Sequence, residues 1–470
     1  MKNGEGKWFG GVVCCFGKVF WEEFGAKVQI IGERGVVFGY FFVPLQIVMV
    51  HLKRYILLMA LGLANLLVAA QEHALVDTLS KEKTQMVSDV NADTLAEELP
   101  IYDSISVSIL TCTPGMDLYA KFGHTALRVK NHTLQKDVVF NYGCFDGSAN
   151  DFVFKFLLGQ TDYLLEAEPY DYLVARYGYM GTGVKEQVLN LTQEEANHLL
   201  FLLLENIQPQ NQEYRYIWLY DNCTERARDM VERAVNGKVV YERAATDATI
   251  RQMLHQCLEK DPWICFGIDM ILGAEIDQPA DRRIQMFLPD FFSAEAEEAL
   301  IEKVDGSQIP YIAQTNNIIE RTKQGEATPF LLSPLFAFSL LLVGAVLLFV
   351  YEWKKKEYQI GLDVPLHIAQ GLAGIIVAFL FFFSSHPAVD SNWLVVILNP
   401  IALFYAGWLV YCKKKRKKNL FSYVNLAVFA GFLAVMMACP QSFNPSMYLV
   451  VLVLLVRALS QAHFTYHSKG

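Results

Sequence analysis

The sequence predicts a mixed α+β domain outside the cytoplasm, followed by an all-α bundle of five membrane-spanning helices. Two observations lead to this fold class. Hydrophobic residues make up 53% of the 470 residues, and most of this apolar surplus lies in long runs in the last third of the chain. The middle of the chain instead mixes short strand-like runs with longer runs of helical period, which is typical of α+β domains.

The first hundred residues are predicted to precede the folded domain. Residues 49–70 have a basic start, an apolar core and small final residues, as secretory signal peptides do, and residues 71–100 form a polar, acidic linker. Residues 1–48 lack a clear helix or strand period, and we expect translation to start at Met49. The alternative interpretation is a true extension whose apolar run merges with the signal into a membrane anchor.

Five apolar stretches of membrane-spanning length define the C-terminal domain, predicted as residues 329–465. Arg457 interrupts the last stretch, so its side chain must snorkel, pair, or line a polar cavity. The five stretches are residues 329–351, 366–384, 393–411, 421–438 and 446–463.

The charges between these stretches predict how the bundle crosses the membrane. Three lysines follow the first stretch and six basic residues follow the third, whereas the other two connections have no Lys or Arg. Because basic loops stay on the cytoplasmic side, the preceding domain lies outside the cytoplasm, as the signal peptide also predicts. A nucleic-acid partner is not expected, because spans flank the longest basic run and the net charge is −9.

The soluble domain, predicted as residues 101–328, begins with strands. Residues 104–111 alternate small polar with β-branched residues and end before a Pro-Gly turn. Residues 124–129 and 137–142 are two further strand-like runs joined by a polar turn. We expect these two runs to pair as a hairpin.

Pairing across this hairpin brings polar residues together. With the turn at its centre, His124 lies opposite Asn141 or Tyr142, within cross-strand contact distance. His132 lies in the turn itself.

Helical patterns follow the hairpin. Residues 192–206 have Thr192 as N-cap, Glu195 at the third helical position and then an apolar face. The aromatic stretch at residues 152–179 is interpreted as core or as a membrane-facing lip. The remaining predictions are a strand-like run at 214–220, helices at 246–260 and 294–304, and a linker at 287–292.

The segment from residue 221 to 235 places a thiol at a helix start. Asn222 and Glu225 have the spacing of a capping box, with Asp221 or Asn222 as the N-cap, so Cys223 falls at about the first helical position. The partial positive charge there favours the thiolate, which is the nucleophilic form. His124, about a hundred residues upstream, is the candidate base. In the competing interpretation Cys223 is buried packing and His124 is a structural strand residue.

The number of cysteines between the signal and the first span is odd, so at least one stays free unless an intermolecular bridge forms. Pairing of Cys257 with Cys265 and of Cys112 with Cys144 would leave Cys223 as the free thiol, although spacing does not fix connectivity. No metal site is expected, because these cysteines lack paired CxxC spacing, and no cofactor is expected.

Three segments carry a resemblance to a known family. TCTPGMDLYAKFGHTALRV, FNYGCFD and YDNCTERARD, ahead of a five-span C-terminus, resemble the Lnb-type bacterial lipoprotein N-acyltransferases. More broadly they resemble the permuted papain-like superfamily that includes the lecithin:retinol acyltransferase-like enzymes. The resemblance implies a permuted papain-like soluble domain on the periplasmic side of the bacterial inner membrane.

The resemblance also implies the reaction and its partners. Cys223 takes a fatty acyl group from a phospholipid as a thioester, and the α-amine of a lipoprotein's lipidated N-terminal cysteine then takes it. His124 holds the proton of the thiol and later deprotonates the amine. Asn141 is expected to orient the imidazole ring, with His132 as the rival.

The oxyanion donors are expected to be the backbone N–H of Cys223 with help from Tyr142 or Asn222. Two other functions remain open: a membrane-anchored papain-like hydrolase of peptidoglycan peptides or acyl chains, and a non-catalytic membrane assembly factor. Five spans exceed what an anchor needs, which favours lipid handling by analogy.

Overall fold

The structure is a computed structural model that describes residues 104–145, 151–243, 246–323 and 325–467. The expected signal peptide, linker and N-terminal extension lie outside these described residues. Two parts follow each other along the chain. We call residues 104–323 the sheet domain and residues 330–467 the helical bundle.

Antiparallel strands form two sheets in the sheet domain. The strands are β1 (Ile105–Cys112), β2 (His124–Asn131), β3 (Lys136–Cys144), β4 (Asp162–Pro169), β5 (Val184–Leu189), β6 (Glu213–Arg215), β7 (Gly237–Val240), β8 (Leu300–Lys303), β9 (Gln308–Pro310) and β10 (Ile312–Ile319). The larger sheet has seven strands in the order β10-β5-β1-β2-β3-β4-β6, and the smaller has the order β7-β8-β9. The predicted first strand and the predicted hairpin, β2 with β3, are confirmed.

Helices connect and cover these strands. They are α1 (Phe152–Leu158), α2 (Tyr170–Met180), α3 (Gln193–Asn206), α4 (Cys223–Ala234), α5 (Ile250–Cys257), α6 (Pro262–Ile271), α7 (Arg282–Gln285) and α8 (Pro289–Glu298). The predicted capping box of α3 is present, with Thr192 accepting from the N–H of Glu195 and the Glu195 carboxylate accepting from the N–H of Thr192. Helices α3 and α4 bury Leu199, Leu203 and Val231 against one face of the larger sheet.

The secondary structure predicted from local sequence patterns is less accurate after residue 210. The strand-like run 214–220 contributes only the short β6, and the expected helix at 246–260 is the shorter α5. The run 287–292 is not a linker, because Pro289 begins α8, a position where the missing N–H of proline costs no helical hydrogen bond. The helix predicted at 294–304 ends at Glu298, and the following residues form β8 because they pair with β7 and β9.

The helical bundle contains α9 (Pro334–Lys355), α10 (Asp363–Phe383), α11 (Ile401–Lys415), α12 (Phe421–Met436) and α13 (Pro445–His467). Within the described residues, four segments are long and apolar enough to cross a membrane: Pro334–Lys355, Asp363–Phe383, Trp393–Lys415 and Pro445–Thr465. The fourth predicted stretch is α12, a helix of 16 residues. It is shorter than the four segments just given, so the expected total of five spans stays a prediction.

The two ends of the bundle differ in charge and in contacts. Lys413 donates from Nζ to the carbonyl oxygen of Tyr358 at 2.8 Å, so the two basic connections meet at one end. The sheet domain contacts the opposite end, where the N–H of Gly273 donates to the carbonyl oxygen of Ala388 at 2.6 Å. The sheet domain and the basic loops therefore lie at opposite ends, as the charge pattern requires.

Arg457 is buried and paired. Its guanidinium contacts the carboxylates of Glu352 at 2.9 Å and Asp363 at 2.8 Å, and all three side chains have 0% exposure. Of the three possibilities for this residue, pairing is the one the structure shows.

The cysteines that the structure describes are all free thiols, so the suggested disulfides are wrong. Cys112 ends β1 and Cys144 ends β3, and β2 lies between these strands. Neighbouring strands are about 4.8 Å apart, so two residues separated by a third strand are out of disulfide reach. Cys265 instead donates from Sγ to Asp269 at 3.7 Å, and Cys257 lies on a different helix.

Candidate active site

Cys223 is the first residue of α4, as the capping pattern predicts. The Oδ1 of Asn222 accepts from the N–H of Thr224 at 2.8 Å and of Glu225 at 3.2 Å, and the carboxylate of Glu225 accepts from the N–H of Asn222 at 3.3 Å. This cap satisfies the second and third helical N–H groups. The first N–H, that of Cys223, has no hydrogen-bond partner among the described residues.

His124 and Asn141 meet across the hairpin. His124 Nε2 lies 3.1 Å from Asn141 Oδ1. The paired residues of β2 and β3 end at Leu127 and Phe140, and continuing this register places Gly143 opposite His124. The expected register is therefore wrong by one or two residues, and the contact between His124 and Asn141 is diagonal.

The hydrogen bonds of Asn141 fix the protonation of the ring. Asn141 Nδ2 donates to the Glu168 carboxylate at 3.0 Å, and because a carboxylate only accepts, Asn141 Oδ1 must face His124. Oδ1 also only accepts, so His124 carries a proton on Nε2. This leaves Nδ1 of His124 for the thiol of Cys223. Arg176 holds the Glu168 carboxylate in turn, at 2.6 Å from Nη2.

Electrostatics favours an ion pair between Cys223 and His124. Burial alone would raise the pKa of the Cys223 thiol, but the charge of His124 and the hydrogen bond with its ring hold this pKa below its ordinary value. Burial lowers the pKa of His124, whereas the Cys223 charge and the hydrogen bonds to Cys223 and Asn141 raise it above its ordinary value. The thiolate is the form that attacks a carbonyl carbon, and the start of α4 stabilises it further.

Packing between β2 and α4 sets the position of the thiol. Thr125 Oγ1 and Thr224 Oγ1 lie 3.1 Å apart in a buried contact, and the backbone of Thr125 forms a hydrogen bond to Cys223. The pairing of β3 with β4 shifts register between Asn141 and Cys144, so β3 is bulged beside the thiol. Bulges of this kind re-aim side chains next to active sites.

Glu168 and Arg176 were missed at the sequence level. Both lie in the stretch 152–179, which its aromatic content marked only as core or membrane lip. Within it, β4 alternates, with Tyr163 and Leu165 facing the core and Glu168 on the other face. This period of two was the signal that could have identified the strand and placed Glu168 on its face away from the core.

The two side chains expected to help the oxyanion are committed elsewhere. The hydroxyl of Tyr142 donates to Asn206 Oδ1 at 2.6 Å, in the core beneath the sheet. The amide Nδ2 of Asn222 donates to the backbone oxygens of Trp218 and Phe287, each at 2.9 Å. We therefore retain only the backbone N–H of Cys223 as an oxyanion donor from the original set.

His132 is not near the cluster. It follows the last residue of β2, at the opposite end of the strand from His124, and its Nε2 lies 3.0 Å from Ser106 Oγ. The structure therefore places Asn141, and not His132, against the ring of His124.

One described group has the chemistry of metal ligands. Side-chain atoms of His255, Cys265 and Asp269 lie within 4.8 Å of one another. Asp269, however, already accepts from Arg251 at 2.8 Å and from Asn444 at 2.9 Å. The hydrogen bond to Asp269 raises the pKa of His255 to about 10. A carboxylate saturated by cationic donors is a poor ligand, and we interpret the group as a link between α6 and the helical bundle.

The fold and this cluster together define a class of protein. It is a membrane protein with an α+β domain joined to a bundle of apolar helices, and Cys223, His124 and Asn141 form the cluster in the α+β domain. Residues 98–256 match the family model described as the Lnb N-terminal periplasmic domain, and residues 325–469 match the one described as the Lnb transmembrane domain.

Together these two ranges cover well over half of the chain, which belongs to the family of Lnb-type lipoprotein N-acyltransferases. The resemblance seen in the sequence is thereby confirmed. The protein is an inner-membrane protein with a periplasmic domain. Among curated protein sequences and among solved structures, no significant match was found.

Proposed function

We propose that the protein transfers a fatty acyl group from a phospholipid, through a thioester on Cys223, to the α-amine of the lipidated N-terminal cysteine of lipoproteins. The observation that carries this proposal is the contact between His124 and Asn141 at 3.1 Å, beside a cysteine whose pKa is lowered at the start of α4. The family supports a lipoprotein and lipid substrates in general.

The first half-reaction forms the thioester. The Cys223 thiolate attacks the ester carbonyl carbon, and the carbonyl electron pair moves to oxygen. When this pair returns, the ester C–O bond breaks and the imidazolium of His124 gives its proton to the leaving lysophospholipid alcohol. Asn141 keeps the ring in the tautomer that this transfer requires.

The second half-reaction forms the amide. The lipoprotein amine attacks the thioester carbon, and neutral His124 removes a proton from the amine as the C–N bond forms. Collapse of the intermediate breaks the C–S bond and returns the Cys223 thiolate with its imidazolium partner. No other co-reactant is needed.

The order of these residues supports a permuted papain-like domain. His124 and Asn141 lie on strands that precede Cys223 in the chain, and Cys223 begins a helix packed against their sheet. The three residues correspond to the nucleophile, the base and the orienting residue that thiol enzymes use.

Aromatic contacts support delivery of lipid from the bilayer. Phe154 of α1 is 55% exposed and contacts Phe379 of α10 with ring centroids 5.7 Å apart. Phe152 of the same helix lies 6.5 Å from the ring of Tyr163. Tyr163 belongs to the core of the sheet domain against which Cys223 also packs. Aromatic side chains of α1 thus link Phe379 of a span with this core.

Acyl transfer by the full-length protein in phospholipid vesicles tests the proposal. With a diacylated lipopeptide as acceptor, mass spectrometry should show the N-acylated product, and Cys223→Ala should reduce its rate by about 10³-fold or more. Without lipopeptide, a fatty acyl thioester should accumulate on Cys223 and be released by hydroxylamine.

Cys257→Ala is the matched control, because Cys257 is also a free thiol and burial raises its pKa to about 12. It should keep wild-type activity. N-acylation at the wild-type rate by Cys223→Ala would refute the proposal. Free fatty acid as the main product in the presence of lipopeptide would instead favour the hydrolase.

A further inference from the structure

Tyr214 presents a buried hydroxyl that the mechanism so far does not use. The residue lies in β6 and is 7% exposed, and its hydroxyl has no hydrogen-bond partner in the part of the chain that the structure describes. A buried polar group without a partner destabilises a protein, so such groups are rare and need an explanation.

The ring of Tyr214 is held from two sides. The guanidinium of Arg226 lies 3.7 Å from its centroid, and Tyr142 meets it edge-on with centroids 6.1 Å apart. Arg226 is fixed in turn by Asp221, with Nε and Nη2 donating at 2.6 and 2.7 Å. The direction of the hydroxyl is therefore set by packing and does not depend on a hydrogen bond.

Gly143 lies beside both this hydroxyl and the nucleophile. A Cβ placed on Gly143 would lie 3.4 Å from the Cβ of Cys223 and 3.9 Å from the Tyr214 hydroxyl oxygen. The φ of Gly143 is +87°, in the left-handed region where a side chain is strained. The bulged end of β3 thus has no side chain beside these two groups.

The protonation of Tyr214 suits a donor. Burial raises its pKa, and the negative charge of Cys223 raises it further. The hydroxyl accordingly keeps its proton when Cys223 is a thiolate.

We propose that the Tyr214 hydroxyl and the backbone N–H of Cys223 together form the oxyanion hole of this site. Both are donors without a partner among the described residues, and Tyr214 and Cys223 both lie beside Gly143. This inference rests on the proposed acyl transfer. It replaces the earlier expectation of Tyr142 or Asn222, whose donors are already used.

The role is the same in both half-reactions. When the thiolate or the amine adds to the carbonyl carbon, the C=O electron pair moves to oxygen, and the two donors stabilise the resulting negative charge. Neither donor gives up its proton. The charge disappears when the C–O bond, or later the C–S bond, breaks.

Substitution Tyr214→Phe in the full-length protein tests the inference. We expect kcat to fall about 10²-fold with an unchanged KM for phospholipid, and thioester formation and transfer to fall by similar factors. The thermal unfolding midpoint should stay the same or rise, because the substitution removes an unsatisfied buried hydroxyl.

Tyr311→Phe is the matched control. Tyr311 is fully buried in the same core, and its hydroxyl also has no partner among the described residues, but it lies next to β10, at the opposite edge of the larger sheet from β6. Its substitution should leave kcat unchanged and affect stability in the same direction.

Wild-type kcat for Tyr214→Phe would overturn the inference, as would a loss of activity matched by a loss of folded protein. Either result leaves the acyl-transfer proposal intact if Cys223→Ala remains inactive. Activity in Cys223→Ala would refute the acyl-transfer proposal itself.

Discussion

Two polar clusters, one in the sheet domain and one in the helical bundle, differ in how completely their hydrogen bonds are satisfied. In the bundle, Arg457 donates from Nε and both terminal nitrogens to the carboxylates of Glu352 and Asp363. In the sheet domain, the N–H of Cys223 and the hydroxyl of Tyr214 have no partner within the described part of the chain. The first cluster is complete, whereas the second leaves donors available for a substrate.

The bundle cluster connects three helices. Glu352 lies in the last turn of α9, Asp363 begins α10 and Arg457 lies within α13. Each carboxylate accepts a further hydrogen bond, from Ser460 Oγ at 2.5 Å for Glu352 and from the Tyr358 hydroxyl at 2.7 Å for Asp363. Charges buried inside a protein are costly unless all of them are paired, so this cluster is a structural clamp.

The site cluster is a chain of hydrogen bonds whose end at Glu168 is held by other side chains, whereas its end at Cys223 carries the reactive thiol. Arg176 and Asn141 both donate to Glu168, and Asn141 accepts from His124. At the other end of this chain of hydrogen bonds, His124 contacts Cys223. A chain of hydrogen bonds that is anchored at one end can hold a base in one orientation while its other end reacts.

The largest effect is expected for Arg457→Leu. Removal of the guanidinium leaves two carboxylates buried without their counter-charge, which should destabilise the bundle by about 3–5 kcal/mol. Thermal or denaturant-induced unfolding of the protein in detergent measures this change in the free energy of unfolding. Adding Glu352→Gln and Asp363→Asn to Arg457→Leu should restore part of the stability. Equal stability of Arg457→Leu and wild type would contradict the clamp.

A smaller effect, on reactivity and not on folding, is expected for His124→Ala. Burial raises the pKa of Cys223, and His124 is the main group that opposes it, so the pKa should rise in the variant. The rate of alkylation by iodoacetamide follows the thiolate. The midpoint of the pH dependence of the alkylation rate should therefore move to higher pH, and the alkylation rate at pH 7 should fall.

Mass spectrometry of the peptide with Cys223 would follow this alkylation. Cys257 in the same protein is an internal control, because its pKa is raised by burial and not lowered by a histidine. An unchanged midpoint for Cys223 in His124→Ala would show that the two side chains do not form an ion pair.

The parts that the sequence predicted well depend on neighbours in the chain. The capping boxes of Thr192 with Glu195 and of Asn222 with Glu225 were identified because each joins residues only three positions apart. The hairpin of β2 and β3 was likewise local, so the contact between His124 and Asn141 could be expected although its register was wrong.

The parts that the sequence did not predict depend on distant pairing. Glu168 meets Asn141 only because β4 pairs with β3, and Tyr214 reaches Gly143 only because β6 extends the same sheet beside β4. Arg457 evidently needed a partner, but the sequence could not select Glu352 about a hundred residues earlier. Such contacts follow from strand order and helix packing, which periodicity does not encode.

The smallest effect is expected from Glu168→Gln, which tests whether the anchored end of the site cluster matters. Unlike the carboxylate, the glutamine amide can donate as well as accept, so it no longer fixes the orientation of the Asn141 amide. Transfer activity should fall about tenfold, as for other groups that orient a reacting residue. Glu186→Gln is the matched control, because Glu186 is equally buried and pairs with Arg128 at 2.7 Å, but this pair does not contact His124 or Asn141. Both substitutions should destabilise the domain by about 1–3 kcal/mol, and only Glu168→Gln should lower kcat per folded molecule. If both variants lose activity to the same extent, Glu168 acts through stability alone, and the anchored end of the site cluster is no different from the clamp in the bundle.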